Sequence, residues 1–501
     1  MKLNNLFYIL IASVLFISCE EEFLTEYPTS FITPKQITDA SAINPDLQGG
    51  TVAGIYENIY KTGTGGTTNH DDFGQRGWDI ATDMLSGDMV LGAKNYGWYS
   101  GYSELTSTVD YTSIRNYMPW RYYFRIINLS NIVIEGLGGR DNVPDSETGR
   151  HYLGQALTTR AYAYFYLTQL YQDGYDPSEP ILPLYPDTAT PNVAKSTAAE
   201  VFAFIEADCV AAKSLLSDYS RSSVSSADKY VASTVLAYTY GAQGKWAETA
   251  TETAIVVNDS GLRVVNRDES VYSGSGDTVG GFNSVNNYAA SVIWGTDLTT
   301  DSNMGLVSFW GKVDYYSYSY AAAGDGKIMD RGLYASMRSD DVRAGQFLNI
   351  PGHPVDMFPL YKFYHEDRVF FGQRTVTADY FYFRYSDMLL LHAEAQANLG
   401  NDTAARSTLE ILLAERLDDT TYLASLSGQD LIDEVYLQTR LELWGEGKSY
   451  LAMKRNKATI TRGPNWIDFA GQSFSYDDDK LSFEIPEAEI RDNPYINGQN
   501  E

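Results

Sequence analysis

Apolar positions along this chain fall at helical spacing in paired runs that break at glycine. Met388, Leu391, Ala395 and Leu399 lie at i, i+3, i+7 and i+11, one stripe of a helix. Gly400-Asn401 breaks the run as a left-handed C-terminal glycine does, and Asp402 can cap a second helix. Ala405, Leu409 and Leu412/Leu413 share one face of that helix. Such a hairpin has the size of one tetratricopeptide unit, which must stack on others to bury its apolar face. A similar hairpin turns about Gly244, with Val231, Val235, Tyr238 and Ala242 before it and Trp246, Ala250, Ala254 and Val257 after it.

Further helices are predicted from 45 (Val52, Ile55/Tyr56, Ile59), from Pro119 (Trp120, Phe124, Ile127, Ile134), over 147–171, and over 430–454. Thr197-Ala-Ala-Glu200 is a capping box that opens another, on which Cys209 shares a face with Phe202, Ile205, Ala212 and Leu216. Two long stretches, near 61–111 and 261–378, show no sustained period and only short β-like pieces such as 291–294, and the tail 461–501 reads as coil. The expectation is a mainly α fold: about four tetratricopeptide-like helix pairs as a scaffold, with long irregular loop segments and a few short strands. Long loops inside a compact domain are usually functional, so the site is sought in those two stretches.

The start of the chain reads as a targeting segment. Lys2 precedes an apolar run from Leu6 to Ile17, about 12 residues and too short to span a bilayer. Phe16-Ile17-Ser18-Cys19 places a small residue before a cysteine and resembles a bacterial lipobox, so 1–18 is read as a lipoprotein signal and Cys19 as the lipidated N-terminus. Glu20-Glu21-Glu22 resembles the acidic run that routes such lipoproteins to the outside of Bacteroidetes-type outer membranes. Residues 19–501 are expected to form a single domain.

Removing Lys2 with the signal takes the formal charge from −28 to −29. A field this negative repels nucleic acid and anionic lipid. It argues less strongly against a sulfated or uronate-rich ligand, because local loop charge can override the total. Only two cysteines occur, one of them Cys19, so the mature fold has no disulfide framework, and Cys209 reads as a small buried apolar residue. Five histidines without a Cys/His cluster give no structural zinc site. Asp477-Asp478-Asp479 lacks calcium-loop spacing, which leaves loop aspartates Asp297 and Asp301 as calcium candidates. No phosphate loop and no nucleophile elbow is present. No metal and no cofactor is expected.

Aromatic residues make up 14% of the chain, with 39 Tyr, 21 Phe and 8 Trp. Sugar rings present apolar C–H faces, so aromatic platforms with a few polar groups suit them. Two clusters fall in the irregular stretches, where no helical stripe claims them. The first is Tyr96-Gly97-Trp98-Tyr99 with Tyr102, preceded by Asn69, Asp71 and Asp72; the second is Trp310 with Tyr315-Tyr316, Tyr318 and Tyr320. Candidate ligand-binding residues are therefore Tyr96, Trp98, Tyr99, Trp310, Tyr315 and Tyr316 for stacking, and Asp71 and Asp72 for orienting hydroxyls. Trp120, Trp246 and Trp444 sit on helices and read as core.

Several blocks carry a resemblance to a family. Arg384-Tyr-Ser-Asp387-Met-Leu-Leu-Leu-His-Ala393-Glu394-Ala395, Glu442-Leu443-Trp444-Gly445-Glu446-Gly447, Ile485-Pro486 with Asn493-Pro494, and Arg160-Ala161-Tyr162-Ala163-Tyr164-Phe165 resemble blocks of the SusD/RagB family. Ser449-Tyr450-Leu451-Ala452 departs from the family's Arg-(Trp/Phe)-x-Asp, which implies a missing local ion pair. The resemblance implies a cell-surface outer-membrane lipoprotein with four tetratricopeptide-like units, which captures an oligosaccharide as the lid of a SusC-like TonB-dependent transporter. It also implies scaffold roles for the quoted blocks and no catalysis. Glu442 and Glu446, at i and i+4 beside Arg440 and Lys448/Arg455, read as structural ion-pair partners rather than a glycosidase pair. Two other readings stay open: a peptide-capture lipoprotein of the same fold, and a tetratricopeptide-type interaction protein that needs no pocket.

Overall fold

The computed structural model describes residues 36, 40–41, 44–274 and 279–500. The expected signal 1–18 and Cys19 lie outside the described residues. The chain builds a stack of antiparallel helices and lays irregular segments over one part of it. Helix α1 (Gly49–Tyr60) buries Val52, Ile55 and Ile59, the face anticipated for it. Helix α2 (Gln75–Leu85) falls inside the first stretch read as loop, and all of its residues are buried. Gln75, Arg76, Asp79 and Asp83 share one side of it and Trp78, Ala81, Met84 and Leu85 the other, and the polar side is buried through its own pairs, with Arg76 on Asp79 at 2.8 Å.

Strand β1 (Met89–Leu91) follows α2, and helix α3 (Ile114–Gly136) then begins well before Pro119. Ser113 caps it, accepting a hydrogen bond from the Arg115 N–H. Pro119 lies inside the helix, where its missing N–H leaves the Arg115 carbonyl without a helical donor; the buried Tyr102 hydroxyl donates to that carbonyl at 3.3 Å. Tyr102 thus mends a helix and does not face ligand.

Helix α4 (Glu147–Leu170) packs along α3, and after β2 (Pro180–Pro183) and β3 (Lys195–Thr197) the capped helix α5 (Ala198–Leu215) packs on α4. The Thr197–Glu200 box is formed, and Cys209 is buried on α5. Helices α6 (Lys229–Ala242) and α7 (Trp246–Asp259) make the Gly244 hairpin. After β4 (Val292–Thr296), β5 (Lys327–Met329) and β6 (Tyr380–Arg384), helices α8 (Tyr385–Asn398) and α9 (Asp402–Leu413) make the Gly400 hairpin, with α8 packed on α7. The strands pair antiparallel in twos, β1 with β5, β2 with β3 and β4 with β6, and the short β7 (Thr459–Thr461) with β8 (Ser473–Ser475). The scaffold is therefore mainly helical, with tetratricopeptide-like pairs α3/α4, α6/α7 and α8/α9.

The run 430–454 is not one helix but a last pair, α10 (Gly428–Glu442) and α11 (Lys448–Arg455). Gly445 and Gly447 divide them at φ 78° and 71°, and a Cβ on Gly447 would lie 2.9 Å from the Asp79 Cα on α2. That turn puts Glu446 into a buried ion cluster. Glu442 meets Arg416 at 2.9 Å and Arg384 at 3.1 Å, and Glu446 meets Arg384 at 2.7 Å and Lys362 at 3.1 Å. The two carboxylates are structural, but their partners differ from those expected: Arg440 pairs with Asp88 at 2.5 Å and Arg455 with Glu394 at 2.8 Å. The buried Ser449 hydroxyl, at the head of 449–452, has no partner among the described residues. The tail read as coil is tied down: Phe483 and Glu484 donate their N–H groups to the carbonyls of Leu170 and Thr108, and Ile485 is buried.

Removing one member of a buried ion pair leaves the others uncompensated, at a cost of about 3–5 kcal/mol. Glu442→Gln is expected to lower stability by about that amount in urea unfolding at pH 7. Burial alone would raise the Glu446 carboxyl, but Arg384 and Lys362 outweigh it and hold it down at about 2, below its ordinary 4.5. Glu446 therefore contributes stability that is present above about pH 4.5 and lost as pH falls toward about 2. Thermal midpoints should drop through that window, and less steeply in Glu446→Gln.

Candidate functional site

Strands β1 and β5 bring the two irregular stretches together. Their register pairs Met89 with Met329 and Leu91 with Lys327, and the Gly92 N–H continues the ladder to the Gly326 carbonyl at 2.9 Å. Just beyond, the buried Asp325 carboxylate accepts the N–H groups of Asn95 at 2.6 Å and Tyr96 at 2.7 Å. Gly324, at the turn just before Asp325, has φ 102°, a conformation that favours glycine.

These contacts assemble one aromatic cluster from both stretches. The Tyr96 ring meets Tyr320 edge-on at 5.0 Å, and Trp98 lies 6.3 Å from Tyr320. His70 stacks on Trp98 at 5.1 Å with an interplanar angle of 7°, and its Nδ1 hydrogen-bonds the Tyr320 hydroxyl at 2.6 Å. Tyr96 is 58% exposed and Trp98 half-buried, so both rings reach solvent while Tyr320 supports them from below.

Basic side chains lie against the rings. The Lys312 Nζ sits 3.9 Å from the Tyr320 centroid and 5.1 Å from that of Trp98, and the Arg115 guanidinium is 5.8 Å from Trp98. Lys312 is fully buried and its Nζ has no hydrogen-bond partner among the described residues. Burial first, and then nearby Lys327, push it down to about 6. Burial and Lys312 also lower His70, which favours a neutral imidazole between the two rings.

Asp71 and Asp72, expected to orient ligand hydroxyls, are buried and engaged. Asp71 accepts from Arg115 Nε at 2.6 Å through Oδ2, while its buried Oδ1 has no hydrogen-bond partner among the described residues. Asp72 accepts from the Gly65 N–H at 2.8 Å and from the N–H and hydroxyl of Thr67, each at 2.9 Å. A carboxylate in the middle of a Gly/Thr-rich loop satisfies that loop's own donors first. Tyr99 is likewise turned inward and donates to the Gly77 carbonyl at 3.1 Å.

Trp310, expected to present its indole to ligand, is 1% exposed. It opens a four-residue helix and packs against Phe309 at 5.5 Å and Phe363 at 6.5 Å, where burial of so large an apolar ring is favourable. Tyr315 and Tyr316 belong to a separate, partly exposed patch. Tyr315 lies 5.0 Å from Phe370, Arg368 caps Tyr316 at 4.4 Å, and Val369, Phe370 and Phe371 are exposed in sequence. The sequence reading passed over His70, Lys312 and Val369-Phe370-Phe371. Only the last left a usable signal, three consecutive apolar residues in a stretch without period.

The architecture is that of a helical-repeat binding protein with an aromatic surface raised on its loops. A family model described as "Starch-binding associating with outer membrane" matches residues 79–240, and one described as "SusD family" matches 341–501. SusD-like protein P25 of Formosa agariphila is 22% identical over 307 residues, 60% of this chain and 53% of that protein, so the match spans about half of its length. A SusD-like carbohydrate binding protein from Bacteroides vulgatus superposes with a TM-score of 0.72 at 21% identity, over 90% of this chain and 96% of its own. Surface glycan-binding protein A from Bacteroides thetaiotaomicron, solved in complex with laminarihexaose, superposes with a TM-score of 0.64 at 13% identity, over 89% and 97%. The chain belongs to the SusD/RagB family.

Asp72→Ala leaves three donors without their acceptor and is expected to cost about 2–3 kcal/mol of stability, read as a lower urea midpoint. A residue that served ligand alone would leave that midpoint unchanged.

Proposed function

We propose that this protein is a non-catalytic, cell-surface glycan-binding lipoprotein, anchored through Cys19 to the outer membrane, which captures oligosaccharides and passes them to a SusC-like TonB-dependent transporter. The observation that carries the reading is the meeting of Tyr96 and Trp98 with Tyr320 in one solvent-facing cluster built from two distant stretches. Sugar rings stack on such surfaces through their C–H faces. The Tyr315–Phe370 patch, from the same stretch as Tyr320, offers further rings to a longer chain. An assembly role on the helical repeats alone needs neither surface. The outer-membrane association in the family description and the laminarihexaose bound by a neighbour of the same fold support the reading.

Catalysis is not part of this proposal. The one carboxylate pair at i, i+4 spacing considered for it, Glu442 and Glu446, is locked among basic side chains and buried, Asp72 is committed to the loop beneath the rings, and Asp71 is paired with Arg115 of α3. Affinity is modest, because a few partly exposed stacking contacts must first offset immobilisation of a flexible ligand.

Isothermal titration with a panel of neutral oligosaccharides is expected to find a ligand. Trp98→Ala and Tyr96→Ala should each weaken it by roughly fivefold, about 1 kcal/mol, without moving the melting temperature. Undiminished binding in the double variant rejects the site, and binding of peptides but of no glycan transfers it to the peptide-capture reading.

A further inference from the structure

Helix α3 carries Arg121, Arg125 and Asn128 at i, i+4 and i+7, all exposed on one face. They rim a cavity of about 620 Å3, within the usual range for small-molecule sites. The wall behind them is aromatic: Phe124 lies 4.8 Å from Trp120 and meets Tyr185 edge-on at 5.8 Å. Phe124 and Tyr185 are half-buried and reach the cavity.

Neither guanidinium at the rim has an ion pair or hydrogen bond among the described residues. Two like charges at i, i+4 repel along a helix, so an unpartnered Arg121/Arg125 pair is a cost to α3. Arg121 is nonetheless placed: it lies against Gly66, where a Cβ would come within 2.3 Å of its Nη1. The two carboxylates in the wall are already engaged. Asp187 accepts from the N–H and hydroxyl of Thr190, and Glu489 accepts from Trp120 Nε1 at 3.3 Å and from Asn493 Nδ2 at 2.9 Å. The cavity lining thus holds two guanidiniums and two carboxylates, and of these only the guanidiniums are without a partner among the described residues, in a chain whose net charge is −28.

We propose that this cavity is a second saccharide site, separate from the Tyr96–Trp98–Tyr320 cluster, and that it takes a sugar residue bearing a carboxylate or a sulfate ester. The anion sits between Arg121 and Arg125, whose planar donor forks suit both groups, and the sugar's apolar face rests on Phe124 and Tyr185. Asn128, one turn further along, faces the ring hydroxyls. The inference rests on the glycan-capture reading only for the sugar ring; the anion pocket is tested independently of it.

The experiment is isothermal titration of the purified protein at low ionic strength with trigalacturonate, a monosulfated galactotriose and neutral galactotriose. At least one acidic trisaccharide is expected to bind tenfold or more tightly than the neutral one. R121Q/R125Q should remove that advantage while leaving the melting temperature and the response to neutral glycans intact, and Trp98→Ala should keep it. A response to only one acidic probe identifies the anion as uronate or sulfate. Absence of any preference for the acidic probes overturns the proposal, as does a preference that survives in R121Q/R125Q or is lost in Trp98→Ala. Failure of neutral ligands at the Trp98 cluster, with the arginine-dependent binding present, removes the first reading and leaves this one standing.

Discussion

The carboxylates of Glu442 and Glu446 are the point on which the scaffold and its loops both depend. Burying a charge costs several kcal/mol, and only close partners of opposite sign repay it. Here those partners come from different parts of the chain. Arg384 stands at the junction of β6 and α8, and Arg416 comes just after α9. Lys362 and Arg343 belong to the irregular stretch, with Arg343 3.7 Å from Glu442 and bound to Asp341 at 2.7 Å. The same two carboxylates thus join the last helix pairs and tether the segment that carries Tyr315, Tyr316 and Tyr320. An irregular stretch with little periodic structure of its own gains a fixed position by this route.

The site is built in the same way, from charges placed under rings. Asp325 gathers the backbone of Asn95 and Tyr96, Asp72 gathers that of Gly65 and Thr67, and Asp71 holds Arg115 below Trp98. The acidic residues near the aromatic cluster therefore shape the surface on which the rings stand. This changes the division of labour anticipated from the sequence, in which those carboxylates were to orient hydroxyls. The polar groups that remain near the rings are the imidazole of His70, the amine of Lys312 and the guanidinium of Arg115.

Helix α1 was legible because its opposite side is exposed while Val52, Ile55 and Ile59 are buried as spaced. In α8, Met388, Leu391 and Ala395 are buried as spaced, whereas Leu399, placed on the same stripe, is exposed at the helix end. Helix α2 was missed although Gln75, Arg76, Asp79 and Asp83 share one side of it, because it is short and set in a stretch dense in Gly, Asp and aromatics. Pro119 pointed to a helix start because proline ordinarily breaks an interior, and nothing local announces that Tyr102 supplies the missing donor. Two aromatic clusters in the right stretches were legible from composition, and rings of the two do meet, through Tyr320. Which ring of each faces water depended on long-range packing. Trp310 went inside because Phe309 and Phe363 wait there, and Tyr96 stayed out because Asp325 holds its backbone at the loop edge. Ion pairing of Glu442 and Glu446 was legible as a role, whereas the choice of Arg384 and Arg416 over Arg440 was not, because helix spacing says nothing of partners brought by other segments.

The state of Lys312 decides how the aromatic cluster is held. A fully charged ammonium there would face Lys327 and Arg115 without a hydrogen bond, an arrangement that burial penalises heavily. With Lys312 pushed down to about 6, most of its population is uncharged at neutral pH, and the repulsion is relieved. His70, lowered first by burial, is a neutral partner for the Tyr320 hydroxyl whichever state Lys312 takes, and the stack His70–Trp98–Tyr320 is held by a neutral hydrogen bond and ring contacts. A platform of that kind presents apolar faces with little net charge of its own, which suits a neutral sugar. The α3 cavity, with two unpartnered guanidiniums at its rim, is its electrostatic opposite.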